Sequence, residues 1–494
     1  MMGLPKATNY DVVIVGAGAS GFVAAVEAAN RGLTTLVLEK GRTTGGSGNY
    51  MDGGLAVNST IQQAAGEKLD PQAVLQAALS YSHYEADSRI WRNYIRQSPA
   101  NIEWLQGLGV KFDGILPVGD GMHTMHLYTG RGAQLIHGTL EPKAQAAGAE
   151  VVTSITVNQL IMDDEQTVTG VKATDFTTKQ NVTITAKAVI LATGGYLNDP
   201  ELMQTYTNYA ERLIPVNSGK NTGDGLTMAW QVGARRYRMG TSQLFGGQIN
   251  DQTKPAYLNW QTQLNGAASQ QALLWVNQTG QRFVNEFSAL QNFAEAGNAL
   301  STQNKVFSIL SQNNIATLQD HILKEMGTWS YPDDKLPDLM DEIQAALDKQ
   351  AAFITQADTI AALATQLSLP DLPTTVADYN TAAKTGVDTD FGKPAKFLLP
   401  VDQGPYYAIE LGASAFCTMG GLQIDPQNRV LTSDGSPIPG LYAAGNDAAG
   451  VLTGDTYGVN LPGTESGFTI YSGRNAAKNV QADLETSTKI TAED

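Results

Sequence analysis

The run from Tyr10 to Gly41, YDVVIVGAGASGFVAAVEAANRGLTTLVLEKG, leaves a chain few ways to fold. Val12, Val13, Ile14 and Val15 form an uninterrupted apolar run, as in a parallel strand buried on both faces, and Gly16 ends it. Gly18 and Gly21 complete G-x-G-x-x-G, an Ala-rich helical stretch runs to Arg31-Gly32, and a second strand, Thr35 to Leu38, closes on Glu39. In this order the parts bind a dinucleotide. Gly16 permits a tight turn, Gly18 brings the backbone close to a pyrophosphate, and Gly21 lets helix pack on strand. Ala19 and Ser20 sit where the helix N-terminus offers free N–H groups and partial positive charge. Glu39, followed by Lys40, can accept hydrogen bonds from ribose hydroxyls and would repel a 2′-phosphate. These residues alone leave FAD and NAD both open.

Composition narrows the class. A chain of 494 residues with 42% hydrophobic residues and 50 glycines suits an α/β protein of two domains with many tight turns. The net charge of −16 argues against nucleic acid and against an anionic membrane surface as partners. A single cysteine, Cys417, excludes an intramolecular disulfide framework and any cysteine-ligated cluster. The start of the chain has no charged region followed by an apolar run, and Val12 to Val15 is far too short to span a bilayer, so the expectation is a cytoplasmic protein without a membrane span. His123, His126 and His137 lie in a loop-rich stretch without acidic or cysteine partners nearby, and no metal is expected.

From Gly45 to Ser59 the chain reads GGSGNYMDGGLAVNS, where Gly45, Gly46, Ser47, Gly53 and Gly54 would let backbone amides line a flat or anionic ligand. The stretch resembles the second FAD-contact loop of the fumarate reductase and 3-ketosteroid dehydrogenase superfamily of flavoproteins. Members that bind FAD covalently use a histidine in this region; none stands between Gly45 and Thr60, which implies noncovalent FAD. Later motifs keep the family's order. Ala188 to Tyr196, ending in Ala-Thr-Gly-Gly with Thr193 and Gly194, resembles the second nucleotide-contact strand, and Asn221 to Gly225 matches the Gly-Asp-Gly turn, with Asn221 and Asp224 as contacts. Gly440 to Asn446 resembles the strand whose end, here Gly445 and Asn446, meets the flavin's ribityl chain. Leu461 to Gly467, with Gly463 and Ser466, resembles the turn that sets a positive helix N-terminus at the flavin's pyrimidine edge. Two further motifs behind the first fingerprint favour FAD over NAD.

The implied fold class is α/β: a Rossmann-like FAD-binding domain of the glutathione-reductase type with an inserted α+β capping domain. The expected division is 1–243 for the first part of the FAD domain, 244–408 for the cap and 409–494 for the return. Pro71 to Gln97 reads as one helix and Ala133 to Ala147 as another despite Pro142. Val151 to Val157, Gln159 to Asp163, Val168 to Thr174 and Asn181 to Ile184 read as a small antiparallel insertion. Leu273 to Glu286 resembles a hairpin leading to the family's active site, helices are expected at Asp338 to Gln350 and Asp358 to Gln366, and the tail after Gln481 reads as frayed.

The catalytic positions depart from the family. Its proton-donating arginine, its histidine before Thr-Met-Gly-Gly and its clamp arginine fall here at Leu290, Cys417 and about Asn460, and its upstream relay acid and arginine at about Gly266 and Ser269. A dicarboxylate bound without arginines forfeits charge-assisted bonds, so fumarate is a poor substrate. The ketosteroid branch uses tyrosines, and Thr456-Tyr457 resembles its late tyrosine. Tyr457 is the acid candidate, with Tyr128 and Tyr406 behind it and Cys417 a buried hydrophobe. The expected reaction reduces or forms a C=C bond next to a carbonyl in a neutral or monoanionic, fairly apolar small molecule: an enone, a ketosteroid-like compound or an aryl acrylate. Tyr457 and backbone N–H groups near Gly463 would stabilise the enolate oxygen. The alternatives are a fumarate reductase-like enzyme with an altered site and a non-catalytic flavin-bearing electron-transfer subunit. No second G-x-G-x-x-G follows a strand, so electrons are expected from a reduced flavin, a quinone or a redox partner protein.

Overall fold

In a computed structural model that describes residues 4–119, 121–323 and 334–493, the strand Asn9–Val15 occupies the centre of an eight-stranded sheet. Thr35–Glu39 and Asn181–Leu191 flank it in parallel, in register Val12 with Thr35 and Val12 with Ala188. Glu150–Thr153 extends the parallel sheet on one side and Pro437–Ala443 on the other. Val12 and Ile14 face the helix Ala19–Asn30, packing with Phe22, Val23 and Val26, while Val13 and Val15 share the opposite core with Leu36, Leu38 and Val189. Burial on both faces is why this strand carries no polar alternation. Gly21 makes the packing possible, since a Cβ there would stand 2.0 Å from Gly16 O.

The last helix, Thr464–Glu493, lies along Ala19–Asn30 and is locked to it by a buried ion pair, Arg474 Nε to Glu27 Oε2 at 3.0 Å. It continues beyond Gln481 instead of fraying; Tyr442 Oη donates to Asp483, which holds this turn on the sheet.

A second, six-stranded sheet is built around the long strand Tyr406–Thr418, which pairs with Leu213–Pro215, Ser242–Ile249, Val306–Ser311 and Ile354–Ala357. Its core is separate, centred on Trp275, Phe287, Phe397 and Tyr407. Leu274–Asn277 gains no return strand: it pairs with Val306–Ser311, the turn is closed by Asn277 N donating to Gln281 O at 2.8 Å, and the residues beyond it are held largely by side chains. Arg282 binds Glu286 (Nη2 to Oε2, 2.8 Å) and Asp388 (Nη1 to Oδ1, 3.0 Å), and Lys393 Nζ reaches Glu286 Oε2 at 3.3 Å, all four side chains being nearly inaccessible. Two segments about a hundred residues apart in sequence thus meet as one buried charge cluster. Helices at Leu339–Asp348 and Ile360–Leu367 match the expected ones.

Other expected elements are divided. The helix expected over 71–97 is two, Pro71–Tyr81 and Ser88–Leu108, because His83 and Tyr84 adopt φ of 52° and 61° and Asp87 caps the second by accepting from Arg89 N at 2.9 Å. The next runs Arg131–Leu135, a wide π turn Ile136–Leu140, then Glu141–Ala146. The π turn precedes Pro142, which has no N–H for the helical ladder. Val151 to Val157 is not one strand of the insertion: Ser154, at φ 64°, divides it, so Glu150–Thr153 joins the parallel sheet and Ile155–Met162 starts the antiparallel one. Asn181 to Ile184 and Ala188 to Leu191 are one strand serving both.

Candidate active site

A cleft opens at the C-terminal ends of the strands Asn9–Val15, Thr35–Glu39 and Asn181–Leu191, the place where open α/β sheets bind ligands. Counting the solvent at its mouth, it takes in about 1460 Å³ of space not filled by protein atoms, and its lining runs from Glu39 at one end to Tyr457 at the other.

At one end Glu39 lines the cleft, its Oε1 accepting from Gly41 N at 2.7 Å and its Oε2 from Ala17 N at 3.1 Å. These bonds orient the carboxylate and leave lone pairs for ribose hydroxyls. Lys40 Nζ pairs with Asp224 Oδ2 at 2.6 Å, and both line the same end. Next along the wall come Gly16, Gly18, Ala19 and Ser20. Gly18 precedes the helix without any capping side chain, and a Cβ built on it meets nothing closer than Gly45 O at 3.8 Å, so its open face is the cleft itself. Gly46, with nothing within 4 Å of its would-be Cβ, faces the same space, as do Ser47 and Gly53. Thr193, Gly194 and Asn221 close the far side; Ser47 Oγ donates to Asn221 Oδ1 (2.7 Å) and Asn221 Nδ2 to Gly194 O (2.6 Å). An uncapped helix N-terminus, open glycine faces and an oriented acid fit a dinucleotide. Four expected contacts lie behind this wall: Gly21 against Gly16, Gly45 against Asn49, Gly54 against Tyr128 and Gly467, Gly445 against Ser20.

Asn446 and Ser466 line the middle of the cleft. Beside Asn446 is a residue that sequence reasoning missed, Asp447, fully buried and accepting from Thr193 N (2.6 Å) and Gly195 N (2.8 Å). It clasps the Ala-Thr-Gly-Gly turn to the final glycine turn. The signal was available: in the resembling family the final Gly is followed by Glu or Asp, and here the acid stands one place later, after Asn446.

At the other end stand Tyr457, Gly463 and an apolar wall that includes Val118, Met125, Phe293, Phe416 and Val459. Phe416 stacks on Phe245 at 3.8 Å between ring centroids and 8° between planes, with Trp260 edge-on behind, so a rigid aromatic surface faces the cleft. Tyr457 Oη accepts from Gln243 Nε2 at 3.3 Å, and Gln243 Oε1 accepts from Cys417 Sγ at 3.0 Å. Burial raises the Tyr457 hydroxyl far above the ordinary tyrosine range and pushes the Cys417 thiol up, so both stay protonated. Gly463 O accepts from Leu55 N and Gly467 N, both at 2.8 Å, while its own N–H has no acceptor among the described residues. Glu465, in the first turn of the last helix, also lines the cleft, so this helix start is not simply positive as its turn motif implied.

No arginine or histidine lines the cleft among the described residues. Leu290, Gly266 and Ser269 are buried away from it, and Asn460 is turned to Ala77 O (3.2 Å). Tyr128 is buried behind Gly54, and Tyr406 belongs to the second sheet. His126 is buried between Ser59 Oγ (2.6 Å) and Thr124 O (3.0 Å); His123 and His137 pair with Glu67 and Glu141. Among the described residues no group of three or more His, Cys, Asp or Glu is arranged to hold a metal ion.

Residues 11–457 match the model of the family described as FAD binding domain. The chain is 47% identical over 482 residues to a vinyl phenol reductase of Lactiplantibacillus plantarum, covering 97% of each chain. Its fold superposes on the open conformation of a flavocytochrome c3 fumarate reductase with a TM-score of 0.73 at 26% identity, covering 96% of this chain and 79% of that one. It superposes on the 3-ketosteroid Δ1-dehydrogenase of Sterolibacterium denitrificans with a TM-score of 0.80, covering 97% and 100%; at 21% identity that likeness concerns the fold alone.

Proposed function

The chain belongs to the FAD-binding-domain family of flavoproteins, and on that premise we propose that it reduces the C=C bond of a neutral, conjugated aryl substrate of the vinylphenol kind. It is an FAD-dependent oxidoreductase of the class acting on carbon–carbon bonds, so the reading of a non-catalytic electron-transfer subunit is set aside. The observation that carries the substrate class is the far end of the cleft: the stacked Phe416 wall, with no arginine or histidine among the described residues and with a protonated Tyr457 hydroxyl. Such a surface takes an aromatic ring and one neutral oxygen; it offers nothing to two carboxylates.

Bound FAD supplies the hydride. Gly18, Ala19, Ser20, Gly46 and Ser47 would hold its pyrophosphate, Glu39 its ribose, and Asn446 and Ser466 the flavin side, noncovalently, since no histidine stands in the Gly45–Thr60 loop. The chain's own residues do the rest. Phe416 orients the ring of the substrate, while Tyr457 Oη and Gly463 N–H donate to its oxygen, as phenol or carbonyl, and stabilise charge that gathers there. The apolar wall keeps water from the reacting carbon. We take 244–408 as the cap that contributes Phe293 to this end, with Leu213–Pro215, the start of Ser242–Ile249 with Gln243, and Tyr406–Thr418 as its seams with the FAD domain.

The donor we infer is a diffusing reduced flavin, a quinone or a redox partner, a supply that suits the cytoplasm. Among the described residues no helix is long and apolar enough to cross a membrane. The test is anaerobic. Photoreduced holoenzyme is mixed with 4-vinylphenol, a cinnamate ester, an enone and fumarate; fastest flavin reoxidation by the vinylphenol is expected, and fastest reoxidation by fumarate refutes the substrate class. Oxidised holoenzyme is then mixed with NADH or reduced FMN, and rapid bleaching by NADH alone refutes the donor.

A further inference from the structure

Hydride transfer is half of a C=C reduction; the other carbon needs a proton. Tyr457 is poorly suited to give it, because burial and the neighbouring Glu465, Cys417 and Tyr81 hold its hydroxyl well above the tyrosine range. Such a group donates a hydrogen bond at any working pH and releases its proton reluctantly. General acids are most effective with a pKa near the operating pH.

Glu465 faces the same cleft as Tyr457, Cys417 and Asn446. Its Oε1 accepts from Thr469 Oγ1 at 3.2 Å, and Asn446 is its other hydrogen-bonding neighbour. No lysine, arginine or histidine pairs with it among the described residues. The contrast is Asp52, the cleft-lining acid near the glycine loop, which is tied to Arg131 Nε at 3.2 Å. The titratable groups around Glu465 are Tyr94, Tyr128, Tyr457 and Cys417, all kept protonated by burial, so none supplies a charge to pair with it. An uncompensated carboxylate is costly in such surroundings, and a structural role would have brought a cation or several N–H donors to it. Burial raises its carboxyl to about 7, against hydrogen bonds from Thr469 and Asn446 that pull it down.

We propose that Glu465 is the general acid that delivers the proton to the substrate carbon, facing Tyr457, which holds the substrate's oxygen. This rests on the vinylphenol-type reading above. The step balances: the π pair of the C=C bond forms a C–H bond with the Glu465 proton, the adjacent carbon receives the hydride, the cofactor is oxidised by two electrons, and the Glu465 carboxylate regains a proton from solvent. In a vinylphenol the proton goes to the terminal carbon while the phenol O–H proton leaves to solvent, which gives a quinone methide in place of a cation beside the ring. The hydride then reaches the carbon beside the ring, and the negative charge that returns to the oxygen is what Tyr457 and Gly463 N–H stabilise until the oxygen regains its proton from solvent.

The experiment uses reduced holoenzyme mixed anaerobically with 4-vinylphenol between pH 5.5 and 9. Wild-type reoxidation should slow as pH rises through the Glu465 titration. In Glu465→Gln it should be at least about 10²-fold slower and lose that pH limb, with FAD content, flavin spectrum and the affinity of oxidised enzyme for vinylphenol unchanged. Glu465→Asp, which keeps an acid on a shorter arm, should be slower yet retain the limb. In infrared difference spectra of the wild-type holoenzyme, a protonated-carboxyl band should disappear with the same midpoint, a readout that holds even if the glutamine variant fails to fold. A Glu465→Gln enzyme with the wild-type rate and pH limb overturns the proposal, as does one whose only change is weakened FAD. The absence of any such carboxyl band at pH 6 also overturns it. Failure of the substrate reading is distinct: wild-type enzyme would then reoxidise with none of the aryl alkenes or enones, whatever the state of Glu465.

Discussion

Replacing Tyr457 with phenylalanine removes one oxygen and little else. The ring is 5% exposed and packed in the main core, and phenylalanine keeps it there. Among the described residues the hydroxyl's partner is Gln243 Nε2 at 3.3 Å, and Gln243 keeps its other bond, from Cys417 Sγ at 3.0 Å. Loss of one long neutral hydrogen bond costs about 0.5–1.5 kcal/mol of stability, too little to disturb FAD binding. Catalysis should suffer more. If the hydroxyl donates to a substrate oxygen that gains charge as the reaction proceeds, kcat should fall by about 10²–10³, or roughly 2.7–4 kcal/mol, with KM altered far less. Because burial keeps the hydroxyl protonated, the loss should be the same at pH 6 and pH 8.5. Single-turnover reoxidation of photoreduced enzyme by 4-vinylphenol measures it at both pH values. A rate within threefold of wild type, or a loss seen in KM alone, would refute the role and return Tyr457 to packing.

Three further outcomes are expected. Gly18→Val should fold normally, since nothing lies within 3.8 Å of the added Cβ, yet weaken FAD about tenfold or more; an unchanged flavin-to-protein absorbance ratio after dialysis counts against the pyrophosphate cradle. Glu286→Ala leaves Arg282 and Lys393 with one fewer buried anion and should cost about 3–5 kcal/mol; an unchanged Tm shows the cluster to be incidental. Burial alone would raise the Asp388 carboxyl, but hydrogen bonds from Arg282 and Lys393 N bring it from 3.8 to about 2. A depressed carboxyl contributes stability that is complete above its unfolded pKa and fades as pH falls from there through the folded value, here about 2 kcal/mol. Urea unfolding between pH 5 and 2 should show that loss in wild type and not in Asp388→Asn.

How much of this was legible in the sequence depended on how local the cause was. The first strand, glycine turn, helix and Glu39 were readable because each feature sits within a few residues of its reason. The break at His83-Tyr84 and the split at Ser154 were not: both use positive φ at residues other than glycine, stabilised by partners elsewhere, as when Ser154 N donates to Gly41 O at 2.9 Å. The expected hairpin after Leu273 failed for the same reason, since the charges on Arg282 and Glu286 find Lys393 and Asp388 rather than a return strand. In the cleft, the nucleotide end was visible as glycine spacing. Its far end was half visible: Tyr457 could be named and Glu465 stood within the Leu461 to Gly467 turn, but Gln243 and Phe416 come from distant segments and carry no motif that brings them to it.

The charge along the cleft explains how one site can hold a polyanionic cofactor and a neutral substrate. Glu39, Lys40, Lys220 and Asp224 stand at the adenosine end, where Lys40 Nζ is 2.6 Å from Asp224 and Lys220 Nζ 3.6 Å from Glu39. At the proposed phosphate site the compensating charge would be carried by backbone N–H groups at the start of the helix Ala19–Asn30, which need no side chain and so leave the glycine faces open. Past Asn446, Glu465 is the one formally charged residue among the described residues that line the cleft. Tyr457 and Cys417 are titratable but held neutral, and the remaining wall there is largely aromatic or aliphatic. A clamp arginine placed here would find no dicarboxylate to neutralise it, and burial would make it costly. An unpaired acid is different, because a carboxyl escapes the cost of burial by keeping its proton. Among the described residues no cation lines this end of the cleft, and that one feature of the wall both disfavours fumarate and lets Glu465 keep a transferable proton, so the proposed substrate class and proton source rest on the same ground.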